Sequence, residues 1–469
     1  MEEFEYKGKW WLPEKPEKEI TGILKFHPTE GAELELLDSF ETSKRRAMIS
    51  NPYTEQAVIL GITSNGKIIT LYRCYRYKIQ PSMAGPQMSS FKADFVFEGH
   101  HFERAEDIMF DSISVNYSHL EDWAEIPWFH PKRESNSESH LTKLKVDYSF
   151  PQKVEVKLDS VTISFDYYLN SNCSRTELNL KQVMFLKIEP REQTHFANYL
   201  DDICYHIQNF LSLAMSQAIY PLAMKGRTKA RGRISADGRL IYNPISIFRA
   251  NDSFLNLSGK IRRPKMLFSF KEISHDFEAC LNNWFTKSEI LKPVYDLYFG
   301  TLYNPSIYLE HEFLSLSQAI ESYHRRVYGG QYLSNDDYEE IRKILTEAIP
   351  RGTHRDFRES LKQRLKYHNE FSLRKRLKDV LNKCGDLAGL LVHDHKKFID
   401  DVVNTRNFLT HYDKKLKAKA KSGTELLKLI QKMKFVIELC LLMELGISSE
   451  KIKAIVSRNQ KYLSLSRNL

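Results

Sequence analysis

The chain has 469 residues, 42% hydrophobic and 28% charged, with a net charge of +9; this is the balance of a soluble globular protein with room for two to four domains. Six scattered cysteines with no C-x-x-C pair argue against a zinc site or a disulfide framework and fit a reducing cytoplasm. The acidic start Met1-Glu2-Glu3-Phe4-Glu5 lacks a signal-peptide pattern, and the most apolar long segment, 426–445, carries Lys428, Lys432, Lys434, Glu438 and Glu444, too many charges for a membrane span.

Residues 20–170 read as β-rich. Runs such as Ile20–Phe26 and Ala57–Ile62 are short, β-branched and bounded by Gly, Pro or Asn. Asn65-Gly66 predicts a hairpin, because both residues tolerate the positive φ of a tight turn. Further strands are expected at 89–98, 112–117, 141–148, 154–158, 161–168 and 183–188, forming a sandwich or barrel, with the Ser/Glu/Asn-rich piece 133–139 as an exposed loop.

From about residue 192 the apolar period lengthens to that of a helix, through Phe196, Leu200, Ile203, Ile207, Phe210 and Leu211. Pro221 is expected to end it. The stretch Lys225, Arg227, Lys229, Arg231 and Arg233, with Gly226 and Gly232 between, then reads as a basic loop that contacts RNA phosphates or, more plainly, as a solvated connector. Residues 240–265 look irregular with short strands, and 271–299 helical.

Beyond Asn304 helices are expected at 308–328, from an acidic N-cap at Asn335-Asp336-Asp337 to Pro350, and at 357–367, 372–391, 395–412, 424–445 and 449–458. The fold class is therefore α+β and multidomain: an antiparallel β-rich domain over 1–190, a mainly helical connecting region over 191–303 and an all-helical bundle over 304–469. The cationic excess belongs to the last part. Residues 301–469 hold 31 Lys and Arg against 21 Asp and Glu, while the first 300 hold 38 against 39. Such a basic half favours a polyanionic partner or, more plainly, is a set of solvated helix faces.

The chemistry concentrates on the 395–412 helix. Phe398, Ile399, Val402 and Leu409 define its buried stripe, and projection at ~100° per residue puts Arg406 near the stripe's centre. A guanidinium there needs a partner, such as Glu321 or Asp400, or a cleft to open onto. His411, five residues on, falls about 140° away around the helix, with Asn407 as its i, i+4 neighbour. The pair therefore works where the helix ends or distorts near 409–411, or across two copies of the chain. The plain alternative for His411 is a helix-end histidine complementing the dipole. His393-Asp394-His395 and His100-His101 lack a third ligand at useful spacing, and no Walker A, dinucleotide-binding or Gly-x-Ser-x-Gly motif is present.

Arg406-Asn407-Phe408-Leu409-Thr410-His411 resembles the R-N-x-x-x-H form of the motif of HEPN domains, helical bundles that commonly dimerise and act as metal-independent ribonucleases. An earlier long helix, Phe313 to Arg326, is similar to the first helix of the ApeA-like, Abi-associated HEPN group. Gly22-Ile23-Leu24-Lys25-Phe26-His27-Pro28, Gly31 to Leu36, and Phe95 to Phe102 resemble the ApeA N-terminal domain.

The resemblance implies a bacterial anti-phage, abortive-infection effector. His411 would be the general base or acid for attack of a ribose 2′-OH, leaving a 2′,3′-cyclic phosphate, and Arg406 would stabilise charge on the phosphate. Asn407 would hold His411 or a phosphate oxygen in place. Lys225, Arg227, Lys229, Arg231, Arg233, Lys414 and Lys415 would help to hold RNA, with tRNA first to test. The scheme needs no metal or other cofactor. It implies a homodimer through the HEPN domain, a phage-derived trigger and no membrane partner. Tyr412 directly follows His411, whereas toxins silenced by adenylylation carry R-x4-H-x-Y, which speaks against that control. The competing reading is a non-catalytic HEPN-type module that binds RNA or protein.

Overall fold

The computed structural model describes all residues except 1, 2, 41–54, 81–87, 138, 139, 230, 231, 235–239, 252–258, 306, 468 and 469. The chain divides into two compact units, Met1–Leu211 with Ile219–Arg262 and Ser269–Ser274, and Ser212–Ala218 with Arg263–Phe268 and His275–Leu469. The stretch 191–303, expected as one connecting region, is shared between them.

The first unit is built on antiparallel strands whose side chains alternate between core and solvent, as a half-buried sheet requires. Its first strands are β1 (Phe4–Trp11), β2 (Ile20–His27), β3 (Gly31–Leu36), β4 (Glu55–Thr63), β5 (Ile68–Gln80) and β6 (Met88–Glu98). Strand β6 closes them into a barrel, pairing with β3 on one edge and β5 on the other. Trp10, Leu24, Leu34, Ile59, Leu71 and Val96 fill the interior. The Asn65-Gly66 turn forms as expected, with Gly66 at φ 79°. Gly61 is required for space rather than for a turn. A Cβ there would lie 2.2 Å from the Trp10 ring, so glycine makes room for the indole.

Beyond β3, the same edge of β6 accepts Ile245–Phe248, from which the sheet continues through Pro221–Arg227, Ser112–Tyr117, Leu178–Pro190, Val161–Cys173 and Glu155–Lys157. Several boundaries differ from expectation. Arg133–Ser135 lie on the strand Phe129–Ser135, which pairs with Leu141–Tyr148. The helical run from Phe196 passes through a π-helical turn and stops at Met215, well before Pro221. Pro221 starts a strand instead.

The second unit is all-helical. The Leu309–Tyr328 helix packs against Ser288–Tyr303, Leu373–Cys384, His395–His411 and Gly423–Glu444. Phe313, Leu316, Ile320 and Tyr323 form its buried face. Ser334, rather than Asn335, caps the next helix, its hydroxyl accepting from Asp337 N at 3.2 Å. The expected 372–391 helix breaks at Gly385, whose φ is 55°.

Lys434, Glu438 and Glu444 of the most apolar helix find partners inside this unit. Lys434 pairs with Glu312. The fully buried Glu438 accepts from Tyr298 at 2.7 Å, from Lys461 at 3.0 Å and from Tyr462. Glu444 accepts from Tyr323 and Lys287, each at 2.8 Å. Among the described residues no helix is long and apolar enough to cross a membrane.

Candidate active site

The motif helix, His395–His411, starts where the Asp394 carboxylate accepts from Lys397 N at 2.9 Å. That capping role accounts for Asp394 between its two histidines. The helix stays regular through His411 and ends at once, with Tyr412 in the left-handed region at φ 50° and its N–H bonded to Phe408 O. The separation of about 140° between Arg406 and His411 therefore persists along the helix.

Phe398, Ile399, Val402 and Thr405 are buried, but Leu409 and Arg406 are only half-buried. Arg406 is thus not at the centre of the buried stripe. The core thins nearly two turns before the helix ends, and Thr405 is its last fully buried residue. Nor does Arg406 take the carboxylates proposed for it: Asp400 pairs with Arg374, and Glu321 with Arg325 at 3.5 Å. Among the described residues no carboxylate pairs with Arg406, whose Nη1 donates to Asn407 Oδ1 at 3.4 Å. His411 is exposed, and its side chain shows no hydrogen bond among these residues.

The loop after the motif is held against it. Lys421 N donates to Thr405 Oγ1 at 3.0 Å, and the Lys421 ammonium lies 3.3 Å from Asp401. The intervening segment carries Lys414, Lys415, Lys417 and Lys419, all exposed and without carboxylate partners among the described residues. Two of them open the short helix Lys414–Lys417, capped by Asp413. Burial, and then the nearby Lys397, hold the Lys432 ammonium below its ordinary range. A cationic surface thus surrounds the end of the motif helix, suited to a phosphate backbone. A groove of about 400 Å³ beside the helix is lined by Arg374, Lys378, Asn382, His395 and Lys396.

The other expected RNA contacts lie in the β-rich unit. Lys225 and Arg227 are on the strand Pro221–Arg227, not in a loop. Gly226 does not offer free amides: its neighbours in the sheet are Ile245 and Ile113, and the Phe110 ring lies where its Cβ would be, 2.2 Å away. Lys225 sits 4.5 Å over the Tyr168 ring, Arg227 donates to the Tyr168 hydroxyl at 2.9 Å, and Lys229 is 3.5 Å from Asp111. Arg233 is on the short strand Gly232–Ile234, and Arg231 lies outside the described residues. The two histidine pairs differ from a metal site. His101 Nε2 is 2.9 Å from Gly61 O and the His100 ring packs on Phe102. Among the described residues no three metal-ligating side chains gather.

A second arginine and histidine, which sequence reading missed, come together deep in the helical unit. Arg376 Nη1 donates to His324 Nδ1 at 3.1 Å and to Gly329 O at 2.7 Å, and Nε donates to Phe371 O at 3.1 Å. His324 Nε2 is 3.5 Å from Asp379. Both side chains are buried, at 1% and 2% exposure, so no substrate reaches them. Burial, and then the Arg376 charge, push the His324 pKa below its ordinary value. The one available signal was His324 four residues after Ile320, on the apolar side of its helix.

A half-buried arginine without a counter-ion among the described residues and an exposed histidine five residues on thus share one helix and one basic surface of the helical bundle. Residues 314–451 match the Apea-like HEPN family model and residues 5–284 match ApeA N-terminal domain 1; the chain belongs to the ApeA-like HEPN family. No match was found among curated proteins or among solved structures.

Proposed function

We propose that the chain is an anti-phage, abortive-infection effector that cuts RNA without a metal. The observation that carries this reading is Arg406. A half-buried guanidinium with no carboxylate partner among the described residues is costly to keep unless it meets an anion in use. Its neighbours, Asn407, exposed His411 and the tethered lysine loop, supply an orienting amide, a group that exchanges protons near neutrality, and backbone affinity.

His411 takes the proton of a ribose 2′-OH as the oxygen attacks the adjacent phosphorus, or protonates the leaving 5′-oxygen; the products are a 2′,3′-cyclic phosphate and a 5′-OH. Arg406 stabilises the charge gathering on the non-bridging oxygens, and Asn407 orients the guanidinium. Because the two side chains leave the helix on different faces, the site is completed by a second copy across a two-fold axis. We assign substrate chemistry to residues 304–469 and sensing of a phage-derived trigger to the β-rich residues 1–190, with 191–303 connecting them in a cytoplasmic homodimer.

The same angular separation favours one other reading, a non-catalytic module that binds RNA or protein. Purified full-length chain incubated with total RNA or tRNA, in EDTA and with lysate of infected cells as a source of trigger, separates the two. Cleavage with cyclic-phosphate ends that is lost in His411→Ala supports the nuclease. Binding without cleavage supports the module.

A further inference from the structure

The helices Asn335–Glu347 and Arg355–Lys366 form a hairpin inserted between two core helices of the bundle, and neither buries a single residue. Every other described helix of ten or more residues in the bundle from Leu309 buries an apolar stripe. The hairpin nevertheless has an apolar face. Ile341, Ile344 and Leu345 recur at helical spacing on the first helix and are 41%, 66% and 45% exposed; Phe357, on the second, is 55% exposed and shares its face with Leu361. The opposite side is a polar groove lined by Glu339, Arg342 and Thr346 of one helix and Glu359, Lys362 and Lys366 of the other. Both helices therefore turn their apolar residues to the same side.

This is not a loose excursion. Gln331 bridges to Glu370, Tyr332 N bonds to Asn369 O at 2.9 Å, and Phe371 N bonds to Gly330 O at 3.0 Å. The Asn369 side chain donates to Leu333 O and accepts from Leu333 N, both at 2.9 Å. The buried Arg376 guanidinium ties Gly329, Gly330 and Phe371 to the helix that follows. A firm root thus holds up an open apolar face, with none of the motif residues on it.

We infer that this face is a self-association surface, and that its occupant is the same hairpin of a second copy of the chain. Charge complementarity points to it. The first helix carries five carboxylates against two cations and the second five cations against two carboxylates, a net −3 beside a net +3. A two-fold axis parallel to the helices, lying between two stacked hairpins, sets each acidic helix over the partner's basic helix and buries both apolar faces in a four-helix bundle. Four of the five carboxylates of the first helix lie at its start and three of the five cations of the second at its end, the two ends which that axis superposes. Glu340 and Arg364, at the rim, have no ion pair among the described residues.

The inference adds a surface to the dimer invoked above and stands whether or not RNA is cut, since its test reads mass and not activity. Analytical ultracentrifugation of the purified full-length chain is expected to show a dimer. Ile344→Glu and Phe357→Glu, both at exposed positions, should give monomers with an unchanged circular dichroism spectrum and melting temperature. Glu340→Arg and Arg364→Glu should each raise the dissociation constant about tenfold, and the double charge swap should restore it. A monomeric wild type, a dimer indifferent to Ile344→Glu, or a double swap no better than the single variants would overturn it.

Discussion

Arg376 and Arg406 are two guanidiniums of one helical unit with opposite surroundings. Arg376 spends its donors on backbone carbonyls and His324, while Arg406 keeps its charge without a counter-ion among the described residues. Arg376→Ala should therefore destabilise the fold by roughly 3 kcal/mol, because it leaves buried acceptors unpaired; a denaturation midpoint reads this. Arg406→Ala should move stability by less than about 0.5 kcal/mol yet cut RNA cleavage by about 10² or more. His324 carries a pH dependence. Its folded pKa lies below the unfolded value, so the unfolded chain binds the extra proton first as pH falls. Stability is full above pH ~6.5 and should decline below it, by at most about 1.4 kcal/mol per pH unit from this one group. His324→Gln should flatten that slope in melts between pH 7 and 5.

At the scale of elements, the lysine loop depends on one hydroxyl. Thr405→Val keeps the shape but removes the acceptor of Lys421 N, and should cost about 1 kcal/mol while loosening the loop. RNA affinity should fall with salt at a slope of about −0.7 per phosphate contact, so Lys414→Ala with Lys415→Ala should reduce the slope by roughly 1.4, read by a binding titration at several salt concentrations. In the barrel, Gly61→Ala sets a methyl group into the Trp10 ring and should destabilise by about 1–3 kcal/mol. The strands and most helices were legible because their periods are local. The basic loop around Lys225 was misread because its charges alternate with small residues along a strand, a pattern that composition alone does not separate from a connector.

At the scale of the whole molecule, the placement of Arg406 and His411 on different faces of one helix makes the number of chains per site measurable. In a mixture of Arg406→Ala and His411→Ala proteins, a site composed from two chains recovers cleavage in mixed dimers, each holding one intact pair. Random exchange then restores about a quarter of wild-type activity. A site within one chain recovers none.

Strand and helix periods, the Asn-Gly hairpin, the basic C-terminal half and the Arg406-to-His411 spacing with its angular separation were all determined by the sequence itself, because each depends only on neighbours along the chain. Closure of the barrel through β6, glycines kept small by Trp10 and Phe110, and the burial of Arg376 were decided by tertiary structure. So were the unmatched charge of Arg406 among the described residues and the open face of the hairpin. These depend on which distant groups arrive, and that determines whether an arginine is used up inside the fold or left for a ligand.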